Sequence, residues 1–542
     1  MKTYHLTNTQ PDIEQASAIL RDGGLVAMPT ETVYGLAANA LDGEAVRRIF
    51  EAKGRPMDNP LIVHVAEFAD IERLRLVSEI PEKAVKLAQA FWPGPLTIIM
   101  PKGEVIPDEV SAGLSTVAIR IPSHPDAQRL LKTSGLALAA PSANTSGKPS
   151  PTTARHVIDD MEGRIEAVID GGSCSVGVES TVITLATDTP RILRPGLITR
   201  EEIEAVIGAI EVDHAVLHQL ENNEKASSPG MKYKHYAPRT RVVLLRGSDE
   251  RYITYMNRLY ARDPHIAAMC YDEDKPQLDM PCITIGGMDD EKAQAKALFD
   301  ALRAVDDLED VTAVYAHCPK ATGVGMALYN RLIRAAAFEV IDLPEKRIIG
   351  LTGQTGAGKS EAARLLAECG FPIISADEAA RLAVEDSEVK AMLCASFGNV
   401  LLSDGSLDRR RVAQIAFSSP ENTERLNQIT HPKISEIMLA QAEKIKGDIV
   451  VFDASQLFEA RQDVFCHCIV GVLADPELRR ERIMRRDGLN REEAERRMSV
   501  QLSEEFFIAH CDDILYNNGS AEAFFDAVRQ YGERWCADEQ KI

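Results

Sequence analysis

A glycine-rich run in the last third of the chain has the residue types and spacing of a phosphate-binding loop. It lies between an apolar strand-like stretch, 347–352, and a helix-like stretch, 361–369. In that context the pattern G-x-x-x-x-G-K-[ST] predicts nucleotide binding, because glycines let backbone N–H groups turn toward phosphate oxygens. Lys359 is expected to reach the β- and γ-phosphates and Ser360 to place its hydroxyl on Mg²⁺. The predicted ATP contacts are Gly353, Thr355, Gly356, Ala357, Gly358, Lys359 and Ser360.

Three acidic residues each follow an apolar strand-like run in the same region, namely Asp377, Asp453 and Asp475. The carboxyl ends of strands line the ligand crevice of a doubly wound parallel sheet, so we expect these acids near the loop. Asp377 could take a proton from an acceptor hydroxyl, and Asp453 could orient Mg²⁺ directly or through water. Each acid could instead be a helix N-cap or a turn residue.

Arginines recur farther along the chain at the spacing of one helix face. Arg479, Arg482 and Arg486 stand at i, i+3 and i+7. Cations on such a face could close as a lid over a transferring phosphoryl group and stabilise its charge. The alternative is a solvated helix, since the following stretch, 490–498, is a charged helix with i, i+4 pairs.

The bulk composition is that of a globular chain with several domains. The 542 residues are 45% hydrophobic and 26% charged, which suggests three or four domains. No apolar run is long enough to span a membrane, and the polar N-terminus lacks a signal-peptide pattern, so a cytoplasmic location is expected. Ten scattered cysteines are interpreted as reduced thiols. A net charge of −21 argues against broad, non-specific nucleic-acid binding.

Strand-like and helix-like stretches alternate throughout, which predicts an α/β fold. The predicted blocks are a first domain at 1–210, a polar linker or lid at 211–240, a small α/β domain at 241–342 and a loop-containing domain at 346–542. The predicted strands before residue 340 are 25–29, 61–65, 96–100, 117–121, 136–140, 182–185, 242–245, 266–270 and 312–316. Helical patterns lie at 289–302 and 324–337.

The last 200 residues or so resemble dephospho-CoA kinase. The matching segments include 350–360, Ser375-Ala376-Asp377, 404–410, His431-Pro432 and Leu457-Phe458-Glu459. The resemblance implies a P-loop domain with a doubly wound parallel sheet and ATP-dependent phosphorylation of the ribose 3′-hydroxyl of dephospho-CoA. It implies that Asp377 is the acceptor-side base and that Arg409 and His431 face the substrate. With the lid arginines, the predicted acceptor set is Asp377, Arg409, His431, Arg482 and Arg486.

The chain departs from that family at Ser455 and Gln456, where proline and leucine are usual. This concerns the shape of the acceptor pocket rather than the chemistry. The alternative for this block is another small-molecule kinase of the same fold.

The first block has no such loop but carries polar residues at strand ends and in loops. They lie in the runs 29–36, 53–56, 59–64 and 141–150, together with Arg120 and Arg194. Lysine, arginine and serine side chains presented in this way suit a triphosphate site. Taken singly, each run could be an ordinary turn or surface segment.

The combination of these runs resembles the YrdC-like family, in its longer threonylcarbamoyl-AMP synthase form, over the first 340 residues. This implies a twisted open-sheet domain followed by a small Rossmann-like domain, and formation of threonylcarbamoyl-adenylate from L-threonine, bicarbonate and ATP for tRNA modification. The residues implied for threonine are Thr32, His64, Arg120, Ala140 and Ser180. Those implied for ATP are Lys53, Arg55, Asn59, Thr116, Ser142, Asn144, Ser150, Arg194 and Tyr236, with Lys53 and Arg55 expected to act in catalysis.

In that family form the linker covers the active site, and the stretch 228–238 has the glycine, proline, basic and aromatic residues of such a lid. A lid would exclude water from a labile adenylate. A basic linker that touches RNA is the alternative. Subunits of a tRNA-modification complex are possible partners, and the rival for the whole block is a non-catalytic tRNA-binding module.

Overall fold

The computed structural model describes residues 2–216 and 236–539. The chain forms two compact units: Met1–Arg246 with Asp263–Ile341, and Gly247–Arg262 with Asp342–Ile542. The predicted α/β class is confirmed, since strands and helices alternate through both units. Within the described ranges, no helix has both the length and the hydropathy needed to cross a membrane.

The first unit begins with an eleven-stranded mixed sheet. Its strands are β1 (Tyr4–Leu6), β2 (Val26–Met28), β3 (Gly35–Asn39), β4 (Ile62–His64), β5 (Leu96–Pro101), β6 (Thr116–Arg120), β7 (Leu138–Ala139), β8 (Ala167–Ile169), β9 (Thr181–Thr184), β10 (Arg191–Arg194) and β11 (Glu211–Val212). Their order across the sheet is β1-β8-β2-β3-β7-β4-β6-β5-β9-β10-β11. The helices are α1 (Gln10–Arg21), α2 (Gly43–Lys53), α3 (Ala69–Arg73), α4 (Glu82–Phe91), α5 (Asp108–Ser111), α6 (Pro125–Ser134), α7 (Ala154–Met161) and α8 (Arg200–Ile207).

Helix α2 shows how the sequence sets one edge of the site. Asp42 caps its start by accepting hydrogen bonds from two backbone amides, and Ile49 and Phe50 pack its apolar face into the core. The helix ends at Gly54, whose φ of 62° is the left-handed conformation that glycine adopts easily. Lys53 therefore lies on the last turn, and Arg55 begins the loop that follows.

The second part of the first unit has a five-stranded sheet in the order β14-β13-β15-β12-β16. Its strands are β12 (Arg241–Arg246), β13 (Ile266–Cys270), β14 (Cys282–Thr284), β15 (Ala313–His317) and β16 (Val340–Asp342). The helices of this part of the sequence are α9 (Asp249–Arg262), α10 (Glu291–Ala304) and α11 (Gly325–Ala335). Strands β12 to β15 pair in parallel. Helices α10 and α11 belong to the first unit, whereas α9 belongs to the second.

The second unit contains a fully parallel sheet in the order β18-β19-β17-β20-β21. Its strands are β17 (Arg347–Gly353), β18 (Ile373–Ser375), β19 (Ile449–Asp453), β20 (Cys468–Leu473) and β21 (Asp513–Tyr516). Its further helices are α12 (Lys359–Glu368), α13 (Ala376–Ala383), α14 (Ser387–Phe397), α15 (Arg409–Ala416), α16 (Pro420–Lys444), α17 (Pro476–Asp487), α18 (Arg491–Ser499), α19 (Glu504–His510) and α20 (Ala521–Glu539). Buried side chains cover both faces of the sheet, as expected for a doubly wound arrangement.

The nine strands and two helices predicted before residue 340 are confirmed to within two residues at each end. The strands that the sequence did not reveal there, β1, β3, β8, β10, β11, β14 and β16, have only two to five residues. Length alone does not explain this, because the predicted strands β2, β4 and β7 also have only two or three residues.

The segment predicted to be a linker from residue 211 opens with regular structure. Strand β11 pairs with β10, and a turn of 3₁₀ helix follows at His214–Val216. Residues 217–235, with most of the predicted lid, lie outside the described residues. The chain is described again from Tyr236, whose ring packs 5.2 Å from that of Phe299 on α10.

Two candidate active sites

A cavity opens among strand ends of the large sheet in the first unit. All five residues expected around threonine line it: Thr32, His64, Arg120, Ala140 and Ser180. Four of those expected around ATP also line it: Arg55, Ser142, Arg194 and Tyr236. The structure thus brings residues from positions 32 to 236 into one enclosed space.

The threonine-side part of the cavity contains a buried polar network. Arg120 donates to the Thr32 hydroxyl at 2.9 Å and lies 2.7 Å from a Glu31 carboxylate oxygen. Burial lowers the pKa of His64 to about 3, and the nearby Arg120 charge acts in the same direction. His64 is therefore a neutral imidazole at neutral pH and can serve as a hydrogen-bonding group without charge.

The other part of the cavity carries cations whose charge is only partly compensated. Arg194 donates to the Ser180 carbonyl at 3.1 Å and to its hydroxyl at 3.2 Å. Arg55 lies 3.4 Å from two carbonyl oxygens, and its Nε has no hydrogen-bond partner among the described residues. Burial lowers the pKa of Arg55 to about 10, so it stays protonated at neutral pH. Guanidinium groups that line a cavity in this way, Arg194 buried and Arg55 half-buried, suit a polyphosphate ligand.

Lys53 does not line the cavity. Its ammonium group donates to the carbonyl oxygens of Ser142 and Asn144, the latter at 2.6 Å. Burial lowers the pKa of Lys53 well below its ordinary value, and Arg55 adds to the effect. The observed contact of Lys53 therefore holds the loop that carries Ser142, and its expected contact with phosphates stays a prediction. The Asn144 side-chain amide stays within this loop, where it donates to the carbonyl oxygens of Thr145 and Lys148.

Three further residues of the predicted ATP set lie beside the cavity. Thr116 lines a second, small cleft, which shares Leu61 with the first. It begins β6, which ends at Arg120, roughly 13 Å away at about 3.3 Å per residue. Asn59 is buried, and its side-chain oxygen has no hydrogen-bond partner among the described residues. Ser150 donates to Glu179 at 2.6 Å.

In the second unit the glycine loop joins β17 to α12, as predicted. Gly353, Gly356 and Gly358 have φ values of 148°, 82° and 109°, which side chains rarely tolerate. A Cβ on Gly353 would also lie 2.3 Å from the carbonyl oxygen of Val472 on β20. The sequence needs glycine at these positions for both conformation and space.

Side chains around the loop bind its carbonyl oxygens from outside. Arg479 donates to the carbonyl of Thr355 at 3.1 Å, Arg482 to that of Gly356 at 3.4 Å and Asn517 to that of Ala357 at 2.8 Å. These contacts hold the carbonyl groups on one side, and the loop amides that are not bonded within the protein can face an anion on the other. Two amides are already bonded: that of Thr355 to the Gln501 side chain and that of Ala357 to the Gln354 carbonyl, both at 3.0 Å.

The sequence predicted that Arg479, Arg482 and Arg486 form a lid. In the structure the three arginines do not share one partner. Arg479 and Arg482 hold the loop, whereas Arg486 pairs with the adjacent Asp487 at 2.8 and 2.9 Å. Contact of Arg482 or Arg486 with a substrate stays a prediction.

The predicted catalytic residues of this unit stand at strand ends and helix starts. Lys359 forms an ion pair with Asp453 at the end of β19. Ser360 is exposed on the first turn of α12. Asp377 is exposed on the first turn of α13, whose N-cap is Ser375, so Asp377 is not the cap. Asp475, by contrast, is the N-cap of α17 and accepts from the Glu477 amide at 2.9 Å.

Comparisons with known proteins match the two units to two enzymes. A family model described as telomere recombination matches residues 18–196, one for the threonylcarbamoyl-AMP synthase C-terminal domain matches 198–337, and one for dephospho-CoA kinase matches 347–523. The chain is 48% identical over 342 residues to threonylcarbamoyl-AMP synthase of Bacillus subtilis, across 62% of this chain and 97% of that protein. It is 38% identical over 190 residues to dephospho-CoA kinase of Fusobacterium nucleatum, across 35% of this chain and 96% of that protein.

The chain belongs to both families. Its first part is a threonylcarbamoyl-AMP synthase and its last part a dephospho-CoA kinase, so it is a fusion of two transferases. The crystal structure of P. abyssi Sua5 complexed with L-threonine has 43% sequence identity and a TM-score of 0.58, and covers 63% of this chain and 100% of that one.

Two residues to which the sequence analysis assigned no role complete the synthase site. Glu179 lines the cavity and accepts from Ser150 on one carboxylate oxygen and from Arg331 at 3.1 Å on the other. Arg331 is fully buried on α11 and also donates to the Pro195 carbonyl. Although burial raises the pKa of Glu179, Arg331 and Arg194 offset this, and the net pKa is lowered. The sequence predicted a helix at 324–337, but a helical pattern does not identify the partner of the Arg331 side chain.

In the kinase, the residue missed by the sequence is Gln501. It donates to the Thr355 hydroxyl at 2.6 Å and accepts from the Thr355 amide at 3.0 Å.

The residues expected to face dephospho-CoA contact other parts of the kinase. Arg409 pairs with Glu385 at 3.1 Å, and the His431 ring forms a hydrogen bond with the backbone of Glu459. Burial lowers the pKa of His431.

Proposed function

We propose that the synthase cavity binds L-threonine and ATP side by side and releases threonylcarbamoyl-adenylate and pyrophosphate. The observation that carries this proposal is the shared cavity, in which the threonine-side network of Arg120 and His64 adjoins the cations Arg55 and Arg194. The likeness to P. abyssi Sua5, which was crystallised with L-threonine, supports the assignment of the amino-acid side.

The proposed reaction needs positioning rather than a protein nucleophile. The threonine amine adds to bicarbonate with loss of water, and an oxygen of the resulting carbamate attacks the α-phosphorus of ATP as pyrophosphate leaves. Arg55 and Arg194 are placed to stabilise charge that develops on phosphate oxygens, in a buried cavity where such contacts are strong. Lys53 holds the loop of Ser142, and Glu179 orients the Ser150 hydroxyl.

In the kinase we propose that Asp377 accepts the proton of the ribose 3′-hydroxyl as that oxygen attacks the γ-phosphorus. The loop amides and Lys359 hold the β- and γ-phosphates. Ser360 and Asp453 offer the oxygen atoms that Mg²⁺ prefers, and bound Mg²⁺ would neutralise phosphate charge. The described residues contain no group of three His, Cys, Asp or Glu side chains arranged for a metal ion, so ATP phosphates and waters would supply the other ligands.

We further propose that the adenylate passes to the enzymes that modify tRNA and that the chain works in the cytoplasm, where tRNA is modified. The strongly acidic net charge favours transfer through a partner subunit over extended binding of tRNA by this chain itself.

The synthase proposal is tested by pyrophosphate release from the full chain. Release should require threonine, bicarbonate and ATP together. Arg55→Met should lower kcat/KM for ATP by about 10²-fold or more, whereas Arg73→Met, an exposed arginine of the same domain, should leave it unchanged. CoA formation by both variants checks that the protein is folded. Equal pyrophosphate release by the two variants would overturn the proposed role of Arg55.

A further inference from the structure

Helix α9 lies within the sequence that matches the synthase C-terminal domain, at 198–337. Structurally, however, it is part of the compact unit that holds the kinase. The chain leaves the first unit after Arg246, contributes α9 to the second unit and returns to the first at Asp263. The family boundary and the physical boundary therefore differ by one helix.

The face of α9 toward the kinase carries three arginines and a tyrosine. Arg251, Tyr255, Arg258 and Arg262 stand at i, i+4, i+7 and i+11, which places them on one side of the helix. The Tyr255 ring packs 5.5 Å from that of Phe465, the last residue of the 3₁₀ helix Asp463–Phe465. An apolar contact thus lies in the middle of this face, between charged ones.

The arginines bind backbone carbonyls as well as acids. Arg251 donates to the Glu345 carbonyl at 3.2 Å and lies 2.6 Å from Nδ1 of His467. Arg258 donates to Asp512 at 2.7 Å, and Asp512 in turn accepts from the Ile469 amide of β20 at 2.6 Å. These contacts fix α9 to the strand that borders the phosphate-loop strand β17.

Arg262 contacts the segment 457–463, which lies beside His431 of the proposed acceptor site. It forms an ion pair with the buried Asp463 and donates to the carbonyl of Phe458 at 2.6 Å. The next residue, Glu459, binds the His431 ring through its backbone. The segment 457–463 is thus held from one side by α9 and from the other by the residue expected to face dephospho-CoA.

We propose that α9 is a working element of the kinase and that Arg262 is a positioning residue for dephospho-CoA. By holding the segment 457–463, it keeps His431 and the neighbouring acceptor pocket in place. The nucleotide side of the kinase is held by other residues, Arg479, Gln501 and Asn517. This inference rests on the proposed acceptor site, and the helix that supports it comes from the sequence matched to the synthase C-terminal domain.

The test uses full-chain Arg262→Ala and steady-state kinetics with each substrate varied. The KM for dephospho-CoA should rise about tenfold, as expected for loss of a charged hydrogen bond and ion pair. The KM for ATP should stay within about twofold, because the described side-chain contacts of Arg262 are with Asp463 and Phe458 and not with the phosphate loop. Arg241→Ala, which removes an exposed ion pair with Glu339, is the matched control and should change neither value.

Two further variants separate positioning from loss of folding. Arg262→Lys keeps the charge near Asp463 but cannot serve both partners, so its KM for dephospho-CoA should be intermediate, and Asp463→Asn should resemble it. An unchanged KM for dephospho-CoA in Arg262→Ala, or an equal rise in both KM values with a lower Tm, would overturn the inference.

His431→Ala tests the acceptor site itself. If His431→Ala leaves the KM for dephospho-CoA unchanged while Arg262→Ala raises it, the proposed role of His431 fails and the positioning role of α9 stands.

Discussion

In the kinase, backbone groups are proposed to bind the phosphates. Three loop glycines have positive φ, and side chains donate hydrogen bonds to the loop carbonyls. In the synthase, the corresponding part of the cavity is made of side chains, chiefly the guanidinium groups of the half-buried Arg55 and the buried Arg194. The kinase loop is local, within eight residues, whereas the synthase cavity gathers residues far apart in the chain. A loop of backbone amides keeps its chemistry under most substitutions, but a cavity of side chains depends on each supporting contact.

The largest expected effect tests whether the two sites act independently. Lys359→Ala should lower CoA formation by about 10³–10⁵-fold, the range for a cation that neutralises a transferring phosphoryl group. Threonine-dependent pyrophosphate release should stay near wild type, since the residues that line the described synthase cavity, and Arg331 that supports Glu179 there, all belong to the first unit. Lys346→Ala, which removes an exposed lysine of the same unit, serves as control. A parallel loss of both activities in a folded protein would show that the sites are coupled.

The next effect concerns proton transfer in the kinase. Asp377→Asn should lower turnover with dephospho-CoA by roughly 10²–10⁴-fold, because the amide keeps the shape of the side chain but loses its basicity. ATP binding, measured separately, should change little. Helix capping cannot explain a loss, since Ser375 caps α13. Near-normal turnover would remove Asp377 from the mechanism.

Arg331 tests whether the synthase cavity, unlike the kinase loop, depends on a supporting side chain. Arg331→Met should leave Glu179 as a buried, unpaired carboxylate, at a cost of about 3–5 kcal/mol to the stability of the first unit. Synthase activity should fall about 10- to 100-fold as Ser150 loses its fixed acceptor, while CoA formation persists. Pairing the change with Glu179→Gln should restore most of the Tm but not the activity. Full synthase activity in Arg331→Met would show that Glu179 needs no counterion.

The sequence predicted the kinase loop residue by residue because motif and function coincide in one short run. It also predicted nine of the residues that line the synthase cavity, mainly through family resemblance, but five others of the predicted set do not line it. It could not predict Arg331 or the Tyr236–Phe299 contact, because these depend on how α10 and α11 pack, which no local pattern encodes. The same holds for α9, whose face toward the kinase depends on contacts with residues about 200 positions away.

The smallest effect tests the support behind the kinase loop. Gln501 binds both the hydroxyl and the amide of Thr355 and accepts from Arg479 at 3.1 Å. Gln501→Ala removes these neutral hydrogen bonds but leaves the loop glycines, Lys359 and Asn517 in place. Each such bond contributes about 0.5–1.5 kcal/mol, so the KM for ATP in CoA formation should rise about 3- to 10-fold with kcat nearly unchanged.

Gln428→Ala, on the exposed side of α16, is the matched control for this change and should behave like wild type. A loss for Gln501→Ala as large as that of Lys359→Ala would mean that the loop cannot keep its shape by backbone conformation alone. The phosphate site of the kinase would then depend on supporting side chains as much as the synthase cavity does, and the contrast between the two sites would be wrong.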